Sequence, residues 1–350
     1  MNKQNQSEIE RGVFTISIDF ELIWGTLDLF GPEMFQSACK VERETVVDRL
    51  LDLFAEFDIS ATWCVLGHLM LARCGPENGY KHPEIVRPVH SWHQQDWFVN
   101  DPGGSETSAP LFFGRSLVER IRSCPVSQEI GSHSFSHVIF GDIGCSRETA
   151  ESEISACVRA ARELGIEMRA FAFPRNVVGH LDVLREHGFA CYRGPEQNWY
   201  FGSRWPTAVK RLCHLLDVIT ATTPQVVSPQ LSKHGIWNIP GSMIYFPMHG
   251  IRRFLPNSIR VKRAIKGLDA AVKQKRIFHL WFHPTNFADE IDLMFTGLRR
   301  ILEHAASLRA NDQLSIQPMG ALVSQMDSIS ATPLRSGVTI SSGNSISKAI

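Results

Sequence analysis

Along the chain, short runs rich in β-branched and aromatic residues alternate with longer amphipathic stretches, the signature of repeated β/α units on a largely parallel sheet. Residues 14–20, FTISIDF, predict a first strand, residues 42–57 a helix, and residues 59–65, ISATWCV, a second strand. The alternation then stops. Residues 72–115 are rich in Pro, Gly, His and Trp and have no sustained period. A stretch this long in a compact domain usually carries function or is disordered. Trp92 and Trp97 point to a folded insertion, either a wall of a substrate groove or a cover packed over the sheet.

The pattern resumes with a strand at 128–131, a helix at 147–164, a strand at 170–173, a helix at 179–187 and a strand at 189–192. Residues 195–229 give no clear period, whereas 236–239 and 277–282 read as the last strands, with a basic helix at 259–275 between them. Six or seven strands suffice for an incomplete barrel. From 328 onward the residues are mostly Ser, Thr, Gly and Ile, which predicts a disordered tail after one domain at 1–327.

Composition changes this picture little. With 43% hydrophobic and 21% charged residues, the chain is of ordinary globular type. Lys plus Arg equals Asp plus Glu at 36 each, so net charge favours neither nucleic acid nor an acidic membrane surface. No apolar stretch approaches the roughly 18 residues of a membrane span, and the polar start MNKQNQSEIERG lacks the pattern of a secretory signal, so a soluble, cytoplasmic protein is expected. The eight cysteines include no CxxC pair, which argues against a structural zinc cluster and for free thiols.

Four strand ends carry the candidate chemistry. In EIGSHSFSH, His133 and His137 would stand roughly 13 Å apart along a continuing strand. On one helical turn they would be about 5–6 Å apart and able to share a metal ion, with Ser132 or Ser134 capping that turn. Asp19 and Glu21 alternate onto one face at the end of the first strand, where buried carboxylates need a compensating cation. One would ligate metal and the other act as a general base. Arg175, in FPRN after another apolar strand, is placed to pair with Asp19, to hold substrate, or simply to sit at the surface beside a helix-initiating Pro. In FHLWFHPTN, only His283 lies at a strand end, where an imidazole suits proton donation to a leaving amine, while His279 reads as a core histidine.

In this order, Asp19/Glu21, GSHSFSH, FAFPRN and LWFH resemble the polysaccharide deacetylase family with the NodB homology domain, of carbohydrate esterase 4 type, over roughly residues 12–325. The form IDFELIWGTLD looks closer to the subgroup among surface-polysaccharide biosynthesis proteins. The resemblance implies an α/β fold, a distorted (β/α)7 barrel of NodB type, with the insertion between the second and third strands. It also implies one divalent metal, zinc foremost, held by Glu21, His133 and His137, with Asp19 as base, His283 as acid and Arg175 as a supporting catalytic residue. Trp24, Trp97, Pro174, Asn176 and Trp281 are the candidate substrate contacts. The implied substrate is an amino sugar, or a related precursor, that loses an N-acetyl or N-formyl group. The alternatives are an allantoinase-like hydrolase of small cyclic amides or ureides and a non-catalytic carbohydrate-binding barrel. The chain departs from the family pattern at Phe20, which separates the two acids, at Ala172 where Arg is usual, and at Val138 where Pro is usual. For the family's Asp and Trp motif, Asp217 and Trp237 are the nearest candidates.

Overall fold

The computed structural model describes residues 9–198, 205–248 and 250–331. In chain order the elements are β1 (Gly12–Phe20), α1 (Gln36–Val41), α2 (Val47–Glu56), β2 (Thr62–Val65), β3 (Arg73–Cys74), β4 (Gly104–Ser105), α3 (Arg115–Arg122), β5 (Glu129–Ser132) and α4 (Arg147–Glu163). There follow β6 (Ala170–Ala172), α5 (Leu181–Glu186), β7 (Cys191–Arg193), α6 (Thr207–Ile219), β8 (Gln230–Leu231), β9 (Trp237–Asn238) and β10 (Met243–Ile244). The last are α7 (Asn257–Gln274), β11 (Ile277–Phe282), α8 (Ile291–Ala310), β12 (Leu314–Ile316) and α9 (Met319–Ala331).

The strands pair in the order β10-β11-β1-β2-β5-β6-β7-β9-β8, in parallel except at β8. β9 and β10 are the two halves of one bent strand. The first half pairs with β7 and the second with β11, across Pro240 and Gly241, so the sheet curls back on itself as a distorted seven-position barrel. Pro240 has no N–H to give a ladder, which explains why each half is only two residues long. β1 is buried along its whole length, as a strand covered on both faces must be, and Phe14 stacks on Phe278 of β11 at 5.8 Å between ring centroids.

Parallel pairing sends every strand's C-terminal end to the same edge. Ile18 is in register with Phe282, Val65 with Ser132, and Ala172 with Arg193, so the residues that follow these strands share one rim. In barrels of this kind that rim is where binding and catalytic side chains collect.

The insertion lies where expected, between the second and third barrel strands, and it is folded. β3 and β4 form an antiparallel ribbon, and Ile85, Phe98 and Phe113 join the core. The boundary drawn at 327 falls inside α9, which runs to Ala331, and residues 332–350 of the expected tail lie outside the described residues. Among the described residues no helix is long and apolar enough to cross a membrane.

Candidate active site

Glu21, His133 and His137 meet at the barrel rim. Glu21 Oε2 lies 3.1 Å from His133 Nε2 and 3.3 Å from His137 Nε2. The histidines converge by a route other than the helical turn expected from their spacing. β5 ends at Ser132, and the chain then bends through Ser134 and His137, both with positive φ (64° and 67°), bringing the two rings to 5.3 Å. Positive φ is costly for residues other than glycine and persists where the surroundings enforce it. Here Ser134 Oγ accepts from His137 N at 2.9 Å. The buried Glu153 carboxylate on α4 also accepts from Phe135 N, Ser136 N and Ser136 Oγ at 3.0, 2.9 and 2.5 Å.

The donor set suits a cation. His133 Nδ1 lies 2.9 Å from the Ala172 carbonyl, so Nδ1 carries a proton, and in the neutral ring the lone pair is on Nε2. That lone pair faces Glu21 Oε2, a buried oxygen that receives no hydrogen bond. Lone pairs converging in a buried place are explained by a positive charge between them. Gly25 is what lets the carboxylate fold back there: a Cβ at that position would lie 1.9 Å from Glu21 Oε1. Burial pushes the Glu21 carboxyl upward, but the charges of His283 and His137 more than offset it and hold it well below the usual carboxylate range.

Beside this trio, Asp19 is gripped by Arg193 of β7, with Nη1 to Oδ1 at 2.7 Å and Nη2 to Oδ2 at 2.6 Å. Burial raises the Asp19 carboxyl, Arg193 and His133 lower it, and the net direction is down. His283, from the end of β11, presents Nε2 3.6 Å from Asp19 Oδ2 and 3.5 Å from Glu21 Oε1, and its side chain is 26% exposed. Within 4 Å of Asp19 and Glu21 there is thus a partly open imidazole facing a buried cluster.

Of the roles left open for Arg175, pairing with Asp19 is ruled out: Arg175 sits in a left-handed turn (φ 53°) and binds Asp28, at 2.7 and 2.5 Å. Arg193 has the same sequence signal as His283, a polar residue closing an apolar strand. It also donates to Ser17 Oγ at 3.1 Å and to Asn176 Oδ1 at 3.2 Å, and it lies over the Trp281 ring at 4.3 Å. Asn176 and Trp281 therefore hold Arg193, and Trp281 Nε1 is itself anchored on Glu196 Oε1 at 3.0 Å. Trp24, offered as a substrate contact, is 2% exposed and packs against the insertion, donating to Phe112 O at 3.1 Å. Trp97 also belongs to the insertion and donates Nε1 to Ser136 O and Oγ at 3.0 Å. Pro174 is buried. His279 is a core histidine, bonded to Ser17 Oγ at 2.8 Å, and Trp237 donates to Asp327 on α9.

Residues 31–190 match the sequence profile of the family described as polysaccharide deacetylase. The matched span contains His133 and His137, while Asp19, Glu21, Arg193 and His283 lie outside it. The chain's fold resembles that of a protein assigned as a polysaccharide deacetylase from Mycobacterium smegmatis, at a TM-score of 0.60 and 12% identity over 93% of each chain. It also resembles the PuuE allantoinase, at 0.55 and 11% over 94% of this chain and 95% of that one. A third similar structure is a protein assigned as a polysaccharide deacetylase from Pseudomonas aeruginosa PAO1, at 0.54 and 11% over 89% and 91%. Identities this low show a shared fold. No curated protein matches the chain.

A second group of ligand-type side chains, His68, Cys74, His82 and Asp101, converges beneath the insertion. All eight cysteines are free, as expected. The absence of a CxxC pair was nonetheless a poor argument against a metal cluster, because one cysteine with histidines and an aspartate from separate segments can make the same set.

Proposed function

We propose that the protein is a metal-dependent amidohydrolase that removes an N-acetyl or N-formyl group from an amino sugar or a sugar-containing precursor. The observation that carries this reading is the buried Glu21 Oε2, without a hydrogen-bond donor, facing Nε2 of His133 and His137. These three residues would hold one divalent ion, with zinc best matched to two imidazoles and a carboxylate. Such an ion supplies Lewis-acid polarisation of the amide carbonyl and a lowered pKa for the attacking water.

The chain's own residues supply the proton traffic. Arg193 keeps Asp19 ionised, and two guanidinium bonds leave that carboxylate lone pairs with which to take the water's proton. His283, beside Asp19 and partly open to solvent, passes a proton to the departing nitrogen. Asn176 and Trp281 position Arg193 and so act on the base through it. The polysaccharide deacetylase match over residues 31–190 supports a carbohydrate amide as substrate.

The test is release of acetate or formate from a panel of N-acylated amino sugars by metal-loaded protein. His133→Ala should lower the rate on the order of 10³-fold, the several kcal/mol that a Lewis-acid metal contributes. Undiminished activity in that variant would remove the metal assignment. Ring opening of small cyclic ureides, with no turnover of any amino sugar, would replace the sugar substrate.

A further inference from the structure

The group beneath the insertion has its own geometry. His68 stands in the 3-10 turn after β2, Cys74 in β3, His82 in the following loop and Asp101 shortly before β4. His82 Nε2 is 3.1 Å and His68 Nε2 3.5 Å from Asp101 Oδ2, while Cys74 Sγ is 3.4 Å from His68 Nε2 and 3.5 Å from Asp101 Oδ2. All four ligand atoms lie within 4.8 Å of one another. Corners of a tetrahedron centred on zinc, with bonds of about 2.0–2.3 Å, stand about 3.3–3.8 Å apart, so these separations are close to its edges.

The surroundings aim the lone pairs inward. His68 Nδ1 lies 3.0 Å from the Phe112 carbonyl, so the proton is on Nδ1 and Nε2 offers a lone pair to the centre. Asp101 Oδ1 accepts from Gly103 N at 2.9 Å, which turns Oδ2 toward the same point. An imidazole lone pair therefore faces a carboxylate oxygen and a sulfur. The Cys74 thiol can donate its one proton to His68 Nε2 at 3.4 Å or to Asp101 Oδ2 at 3.5 Å, and a dication at the centre would displace that proton and leave a thiolate ligand.

We propose that His68, Cys74, His82 and Asp101 bind a structural zinc ion that fastens the insertion to the barrel. A thiolate, two imidazoles and one carboxylate fill a tetrahedral shell, and the thiolate and carboxylate neutralise a dication. The shell has no place for substrate. Trp24 and Phe113 pack on His68 at 4.3 and 4.9 Å, and Phe98 and Phe135 on His82 at 4.7 and 5.3 Å. The imidazole of His68 is also held as metal-bound histidines usually are, by a carbonyl on its other nitrogen. The ion would brace the candidate active site from behind, because Gly67 N donates to Ser134 O at 2.8 Å and His68 N to Phe135 O at 3.0 Å, both in the bend between His133 and His137.

The experiment uses the full-length protein, stripped with a chelator and reloaded with zinc or cobalt(II). Elemental analysis should give two metal equivalents, and the cobalt form should show a near-ultraviolet thiolate-to-cobalt charge-transfer band. His133→Ala should drop to one equivalent and keep the band. Cys74→Ser should drop to one equivalent and lose it. A cobalt-loaded protein without the band, or a Cys74→Ser protein with unchanged metal content, overturns the site. One equivalent with the band in the unmodified protein supports this site and removes the catalytic metal, so the two readings fail separately. Should Cys74→Ser not fold, alkylation of the unmodified protein with peptide mapping decides. Cys74 should be protected when zinc is bound and labelled after chelation, and equal labelling in the two states overturns the proposal.

Discussion

At the barrel rim, Glu21, His133 and His137 converge with Asp19 and His283 beside them; beneath the insertion, His68, Cys74, His82 and Asp101 converge among aromatic rings. Both are buried sets with lone pairs facing inward. They differ in what is left over. The rim set has three ligand-type side chains, a neighbouring carboxylate paired with Arg193, and an imidazole partly open to solvent. The insertion set has four ligand-type side chains and no acid or base to spare. Three ligands with an open position and titratable neighbours are suited to chemistry, whereas a closed set of four is suited to holding segments together. Loss of a rim residue should therefore strike turnover, and loss of an insertion residue should strike stability.

The largest effect expected on this contrast is at His283. His283→Ala should lower kcat about 10²–10⁴-fold, the range for removing a positioned general acid. Its unfolding midpoint should fall much less than its activity, because the side chain stands at the rim, 26% exposed, with one ring neighbour among the described residues, Trp281. His82→Ala should do the reverse, lowering the thermal midpoint before it alters kcat per folded molecule. Steady-state kinetics with a denaturation curve on each variant would break the contrast if His283→Ala lost stability in proportion to activity.

Arg193 sharpens the contrast within the rim itself. It is fully buried and makes two bonds to an Asp19 side chain that is 3% exposed, so Arg193→Met strands a buried carboxylate. Breaking a buried pair from one side costs about 3–5 kcal/mol. Arg175→Ala also leaves a buried carboxylate, since the Asp28 side chain is 2% exposed, but Arg175 itself is 34% exposed and water can take its place, so the cost should be smaller than at Arg193. Urea titration of both variants checks the difference. Equal midpoints would mean that Arg193 does not carry the charge of Asp19.

How much of this was readable beforehand follows from how local each signal is. The acids after FTISIDF, the histidine pair and the histidine after FHLWF all sit where an apolar strand ends, and parallel strands end on one rim whatever the loops between them do. Arg193 closes FACY in the same way and is legible by the same rule; Arg175 also follows an apolar strand, but the turn after Pro174 carries it away from Asp19 to Asp28. The histidine spacing was informative, but the path was not. A bend through two left-handed residues, enforced by Ser134 and Glu153, leaves no periodic trace. The insertion set was illegible because its ligands come from a turn, a two-residue strand and loops, with no fixed spacing to betray a shared centre. Trp24 lies in a 3-10 turn, where neither helical nor strand period says which way a ring points. The bent strand formed by β9 and β10 was only half visible, since Pro240 and Gly241 break its run.

The smallest expected effect tests whether the two sets are mechanically separate. Trp97 is a residue of the insertion that reaches the rim's histidine bend directly, its Nε1 donating to Ser136 O and Oγ at 3.0 Å. Trp97→Phe keeps most of the ring's contact area and removes the donor, so the cost is one hydrogen bond, about 1 kcal/mol. If the insertion braces the bend, that loss should appear as a modest fall in kcat with KM little changed, since the bend orients His133 and His137 and not the substrate. Disorder of the bend should also show as faster amide exchange at Phe135 and Ser136, whose N–H groups are tied to Glu153. Exchange unchanged at those two amides, with kcat unchanged as well, would mean that Glu153 alone fixes the bend and that the insertion rests on the rim without holding it.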